Sequence, residues 1–117
     1  MNKDSNETIF SKIIRRELPA DIVYEDDVCL CFKDIMPVAP VHLLLIPKRC
    51  IPRLADAEAS DQALLGELMY KVGVITKQLG IDDAFRIVIN NGPGACQSVF
   101  HLHLHFLAGR KLVWPPG

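Results

Sequence analysis

No stretch of this sequence approaches the ~20 consecutive apolar residues that a bilayer-spanning helix needs, so no membrane helix is expected. Charge of one sign is equally scarce: 13 Lys and Arg against 14 Asp and Glu leave a formal net charge of -1. Such a chain has no basic field for a nucleic-acid backbone or an anionic membrane surface, and neither is expected as a partner. A small anion in a local pocket is compatible with that balance. Met1 to Thr8 is polar and mixes acidic with basic residues, unlike a secretory signal. No disulfide framework is evident, because Cys29 and Cys31 stand two apart in a strand-like segment, a poor geometry for bridging. Together with Cys50 and Cys96 they read as free thiols in a reducing, cytoplasmic compartment, with the nucleus also open to a eukaryotic source. Repeats, low-complexity tracts and a second domain are absent, so residues 1–117 are expected to form one domain.

What is present is an ordered series of short elements. Ile9, Phe10, Ile13 and Ile14 fall at helical spacing and predict a short helix from Thr8 to Arg16, stopped by Pro19. Ile22–Tyr24 and Val28–Lys33 read as strands joined by an acidic hairpin turn, Glu25-Asp26-Asp27. Pro37 and Pro40 stiffen the next connection. Val41–Ile46, apolar except for His42, reads as a central strand buried on both faces. A long helix is expected over Ser60–Leu79, ending at Gly80 in the left-handed conformation. Phe85–Asn90 and Phe100–Leu107 complete a mostly antiparallel sheet in an α+β domain. The tail carrying Trp114 has no evident place in so small a core and is expected against a partner chain.

Three of the four histidines lie in His101-Leu102-His103-Leu104-His105-Phe106. Strand alternation puts His101, His103 and His105 on one face, ~7 Å apart at their Cα atoms, and Leu102, Leu104 and Phe106 on the core face. A lone histidine on a half-exposed strand is usually incidental, but three on one face are not. Imidazoles two apart can share a metal, or one neutral imidazole can attack an electrophile when its other nitrogen is held by an acceptor. No carboxylate stands in the immediate sequence to complete a metal site. The loop before the strand instead offers Asn90, Gly92, Gly94, Gln97 and Ser98, whose amide and hydroxyl donors suit a phosphoryl oxygen. The nucleophile is the favoured reading.

The run Gln97-Ser98-Val99-Phe100-His101-Leu102-His103-Leu104-His105-Phe106-Leu107-Ala108-Gly109-Arg110 resembles the histidine-triad (HIT) nucleotide-binding family in its full His-x-His-x-His pattern. The resemblance extends to Thr8–Arg15, to Phe32-Lys33-Asp34-Ile35 with Pro37 and Pro40, to His42 and to Ile46-Pro47-Lys48. The N-terminal segment, Gly109-Arg110 and the Trp114-Pro115-Pro116-Gly117 tail look like the Hint branch rather than the dinucleoside-triphosphate hydrolases.

The resemblance implies a HIT-like fold: a five-stranded antiparallel sheet with a short N-terminal helix and one long helix, continued across a homodimer. The implied activity is hydrolysis of purine nucleoside phosphoramidates and aminoacyl-adenylates, with His103 attacking the α-phosphorus to form a nucleotidyl-histidine. By position, His105 and His42 would orient the nucleophile, His101 would lie against the phosphate, and Ser98 would protonate or bind the leaving amine. Asn90 matches the phosphate site, with Cys96 and Gln97 in the same loop, and Asp34 matches the ribose acceptor. Ile9, Phe10, Ile13, Phe32, Ile35 and Leu44 match the walls around the base, although core packing explains such residues equally well. Trp114 would reach the partner's site. A dinucleoside-polyphosphate hydrolase and a nucleotide-binding interaction protein with incidental hydrolysis are the alternatives.

No cofactor is expected. The structural zinc site of some relatives needs an N-terminal Cys-x-x-Cys and two histidines; here Thr8 and Ser11 replace the cysteines and Cys50 one histidine, so no zinc is expected. One departure lies near the chemistry, where Ala95-Cys96 replaces a usual Gly-Gly. Ordinary negative φ is the expectation at both positions, since residues with a Cβ avoid the alternative.

Overall fold

A computed structural model describes residues 7–117, so most of the segment read against a secretory signal lies outside the described residues. The first helix, α1, spans Ile9–Ile14. Thr8 caps it: its hydroxyl accepts from the Phe10 and Ser11 N–H groups (3.1 and 3.3 Å), while Ser11 Oγ accepts from the Thr8 N–H (3.2 Å). The two positions read against zinc therefore form a reciprocal capping box. The helix ends earlier than expected, because Arg16 turns left-handed (φ 63) before Pro19 is reached.

Five strands follow in chain order: β1 (Ile22–Glu25), β2 (Cys29–Lys33), β3 (Val41–Pro47), β4 (Phe85–Val88) and β5 (Leu104–Ala108). They form one antiparallel sheet in the order β1-β2-β3-β5-β4. The acidic turn forms as read: Asp26 accepts from the Val28 and Cys29 N–H groups and from the Tyr24 hydroxyl, which closes the β1–β2 hairpin. Helix α2 covers Gln62–Gln78 behind a 3-10 turn at Ala59–Asp61, and Gly80 takes φ +70 at its end.

Alternation along the strands sorts the core into two layers. Cys29, Cys31, Leu43, Leu45, Leu104 and Phe106 pack with Leu68, Val72 and Ile75 of α2. Leu30, Phe32, Leu44 and Ile46 pack with Phe10 and Ile13 of α1 on the other side. His42 and His105 belong by alternation to this second side.

The last strand starts later than Phe100. Leu45 pairs with Leu104, but β3 closes at Pro47, which has no N–H to give, and the Leu102 N–H turns to Ile51 O (2.6 Å). Residues 98–103 therefore run off the end of the sheet. Their facing survives, with Leu102 still in the α2 core. Among the described residues no helix is long and apolar enough to cross a membrane.

Candidate active site

His105 pairs with Leu44 and His42 with Leu107 across β3 and β5, so the two histidines are diagonal neighbours on one face. Their rings meet directly, with His42 Nε2 2.9 Å from His105 Nδ1. The proton positions follow from the partners. The Val38 N–H donates to His42 Nδ1 (3.1 Å), so the ring proton of His42 sits on Nε2 and is given to His105 Nδ1. His105 then carries its own proton on Nε2. Asp34 Oδ2 stands 3.3 Å from His42 Nε2, while Asp34 Oδ1 accepts from the Met36 N–H (2.8 Å).

His103 is fixed by another carbonyl. Its Nδ1 lies 2.8 Å from His101 O, which can only accept, so Nδ1 carries the proton and Nε2 holds a free lone pair. Its ring lies 5.1 Å from those of both His105 and Phe10, edge-on to Phe10. Burial pushes the His103 pKa below the ordinary value, against the pull of the His101 carbonyl, so the ring is neutral at neutral pH. His105 is pushed down further, to about 4, by burial and by repulsion from His103 and His42.

Two adjoining clefts share His103, His105 and Ser98. The larger, about 450 Å³, has an apolar wall of Phe10, Ile13, Phe32 and Leu44, with Asp34 and Ile35 at its side. Ile9 and Ile35 line it although both side chains are largely exposed (51% and 93%), as suits walls with one side open. The smaller, about 320 Å³, adds Asn90, Cys96 and Val38. Sequence reading did not single out Leu18, Met36 and Val99 in the first cleft or Val38 in the second. Val38 acts through its backbone N–H, for which no side-chain pattern gives a signal.

Three expected positions need correction. His101 lines neither cleft: its ring is 1% exposed, its Nε2 donates to Pro47 O (2.7 Å), and it stands behind His103 rather than at the open site. The off-sheet path of residues 98–103 turns it inward. Gln97 is also turned in, its amide donating to the Pro52 and Val99 carbonyls and accepting from the Gly92 N–H. It staples the loop rather than facing a ligand. Cys96 does not have ordinary backbone: φ is 70 and ψ 24, because it ends the tight turn Pro93–Ala95, with its N–H on Pro93 O and the next N–H on Gly92 O. A Cβ there costs ~1 kcal/mol. Ala95 keeps negative φ. Trp114 lines neither cleft of its own chain and is 81% exposed.

Asp34, His42 and His105 offer ligand atoms within 4.8 Å of one another and are the described residues best grouped for a metal. The hydrogen bonding fits one poorly. A metal on His42 Nε2 would displace its proton to Nδ1, where it would face the Val38 N–H donor, or leave an anionic ring.

Residues 15–112 match the family described as HIT domain. A 14 kDa zinc-binding protein of Zea mays is 50% identical over 116 residues, covering 97% of this chain and 91% of its own. Adenylylsulfatase HINT1 of Arabidopsis thaliana is 50% identical over 112 residues, 94% of this chain and 76% of that protein. The crystal structure of a HIT family hydrolase from Legionella pneumophila superimposes with a TM-score of 0.91 at 40% identity, covering 95% of this chain and all of that one. A neutral, carbonyl-held imidazole in a histidine cluster, on a sheet that matches these proteins nearly end to end, places the chain in one group: it belongs to the HIT domain family.

Proposed function

We propose that the chain is a Hint-type hydrolase of purine nucleoside phosphoramidates, acting on adenosine 5′-monophosphoramidate and aminoacyl-adenylate substrates through a nucleotidyl-His103 intermediate. The observation that carries this reading is the state of His103: a neutral ring with its proton held by His101 O and its Nε2 lone pair free at the junction of two clefts.

In the proposed reaction Nε2 attacks the α-phosphorus. The P–Nε2 bond forms as the bond from phosphorus to the leaving group breaks, and that electron pair departs with it: an amine, which takes a proton from solvent while hydrogen-bonded to Ser98, or an aminoacyl carboxylate, which needs none. His101 O stabilises the positive charge that develops on the phosphorylated ring. The His105 Nε2–H donates to a phosphoryl oxygen, and His42 keeps that proton in place. Water then adds to phosphorus and loses its proton to solvent, the P–Nε2 electron pair returns to the ring, and the nucleoside monophosphate leaves. The apolar wall takes the base, Asp34 the ribose hydroxyls, and Asn90 with the Cys96 loop the phosphate side. No step uses a metal or cofactor.

The working unit is proposed to be a homodimer of single-domain chains in the cytoplasm. Among the described residues the outer edge of β4 has no strand partner, and Met69, Tyr70 and Trp114 are large hydrophobics left exposed. Trp114 would then border the partner's leaving-group side. The name of the Arabidopsis relative favours one second reading, with sulfate in place of the amine as leaving group. The attack on phosphorus is the same.

The test is turnover of adenosine 5′-phosphoramidate and of adenylyl sulfate, with chelator present, by wild type and His103→Ala. Chelator-resistant turnover of the phosphoramidate is expected, falling on the order of 10⁴-fold or more in the variant. Equal rates in both proteins would sink the assignment, restoration only by added zinc would sink the metal-free reading, and turnover of the sulfate alone would select the second substrate.

A further inference from the structure

We propose that the turn after β5, Gly109-Arg110, is a clamp that fixes the proton position of His42, and that Arg110 is thereby a positioning residue for the reaction. The mechanistic part rests on the function proposed above; the clamp itself does not.

Val38 sits in the proline-bounded segment between β2 and β3, where it has no strand partner. Its side chain is 60% exposed, so packing does little to hold it. Its N–H makes His42 Nδ1 an acceptor, and Asp34 Oδ2, 3.3 Å from Nε2, favours the ring proton on that nitrogen as well. Two contacts from Gly109-Arg110 pin this segment from behind. Arg110 Nε donates to Val38 O (3.1 Å), and its Nη1 donates to Lys111 O (3.1 Å), so the guanidinium is tied at two points. Gly109, at φ +91, lies so close that a Cβ would come 2.9 Å from Pro40 Cβ. The turn can approach this closely only as glycine. At the front of the segment, Asp34 holds the Met36 N–H.

The consequence runs through two rings. With the Val38 N–H in place, His42 Nδ1 must accept, its Nε2–H is given to His105 Nδ1, and the His105 proton stays on Nε2, the nitrogen left for a ligand. If Val38 swings away, only Asp34 still favours the Nε2 proton, and the form with the proton on Nδ1 becomes accessible to His42. In the form with Nε2 bare, His105 must donate from Nδ1 instead, and its Nε2 becomes an acceptor facing an anion. Arg110 lines neither cleft; it selects which side of His105 is the donor.

The experiment compares wild type, Arg110→Ala and Arg110→Lys by nitrogen-15 NMR of the histidine rings in the substrate-free protein, alongside steady-state kinetics with adenosine 5′-phosphoramidate. Wild type is expected to show His42 protonated on Nε2 alone. Arg110→Ala should show averaged Nδ1 and Nε2 shifts at His42 and His105, and a kcat lower by about 3- to 10-fold with KM within about twofold. Arg110→Lys, which can still donate one hydrogen bond to Val38 O, should recover most of both. Unchanged His42 shifts in a folded Arg110→Ala overturn the clamp, as does failure of lysine to restore them. Absence of phosphoramidate turnover in wild type would defeat the proposed function instead, and the ring shifts would still decide the clamp.

Discussion

The two faces of the central sheet are built from the same three strands and have opposite contents. Toward α2, β2, β3 and β5 present Cys29, Cys31, Leu43, Leu45, Leu104 and Phe106, all buried and apolar. Toward α1, the intervening positions present Leu30, Phe32, Leu44 and Ile46, and then His42 and His105 where β3 and β5 run side by side. One face can be filled by any well-shaped apolar set. The other holds polar rings that must each find a partner, and nearly all do: His42 to Val38 and His105, His103 to His101 O, His101 to Pro47 O. Among the described residues His101 Nδ1 is fully buried without a partner, whereas the free nitrogens of His103 and His105 face the clefts. The difference suggests that stability is concentrated on one side of the sheet and the candidate site on the other.

Substitution across that divide is the strongest way to break the comparison. Phe106→Ala removes a fully buried ring from the α2 side and is expected to cost about 3–5 kcal/mol in urea unfolding. A loss no greater than that of His103→Ala would show that the faces do not differ as described. Acid sharpens the same contrast. His101, His103 and His105 all have folded pKa values below the 6.5 of a free ring, because burial disfavours their charged forms. Below that value the unfolded chain binds more protons, so their contribution is present above pH 6.5 and is lost as pH falls toward about 4, where His105 titrates. Unfolding at pH 7 and pH 4.5 should differ by about 2 kcal/mol from His105, allowing for its partial exposure. His105→Asn should flatten that dependence, and an unchanged slope would count against it. The smallest effect belongs to the loop at the edge of the α1 side. Cys96→Gly relieves a left-handed residue and should raise stability by up to about 1 kcal/mol by thermal melting. A drop in stability would show that the thiol makes a compensating contact.

Much of this was legible because alternation is a strong rule. His101-Leu102-His103-Leu104-His105-Phe106 announces its two faces whatever the strand's exact start, and the hairpin acids and Gly80 sit where turn chemistry requires them. What was not legible depends on tertiary hydrogen bonding. The late start of β5 follows from where β3 ends, His101 turns inward because Pro47 O is there to receive it, and Cys96 is left-handed because its turn closes on Gly92. Val38 acts through a backbone group that every residue but proline has. Thr8 and Ser11 were readable as lost metal ligands, but their use as a helix cap became visible only in the structure.

That cap ties the candidate site to the shorter of the two described α-helices. Six helical residues cannot sustain a helix by themselves. α1 persists through its capping box and the burial of Phe10 and Ile13. Phe10 is also the ring against which both His101 and His103 lean edge-on. Opening this one helical turn, at a free energy well below that of global unfolding, would leave the sheet standing and His103 without its wall. The site is therefore expected to have a melting point of its own, lower than that of the molecule that carries it.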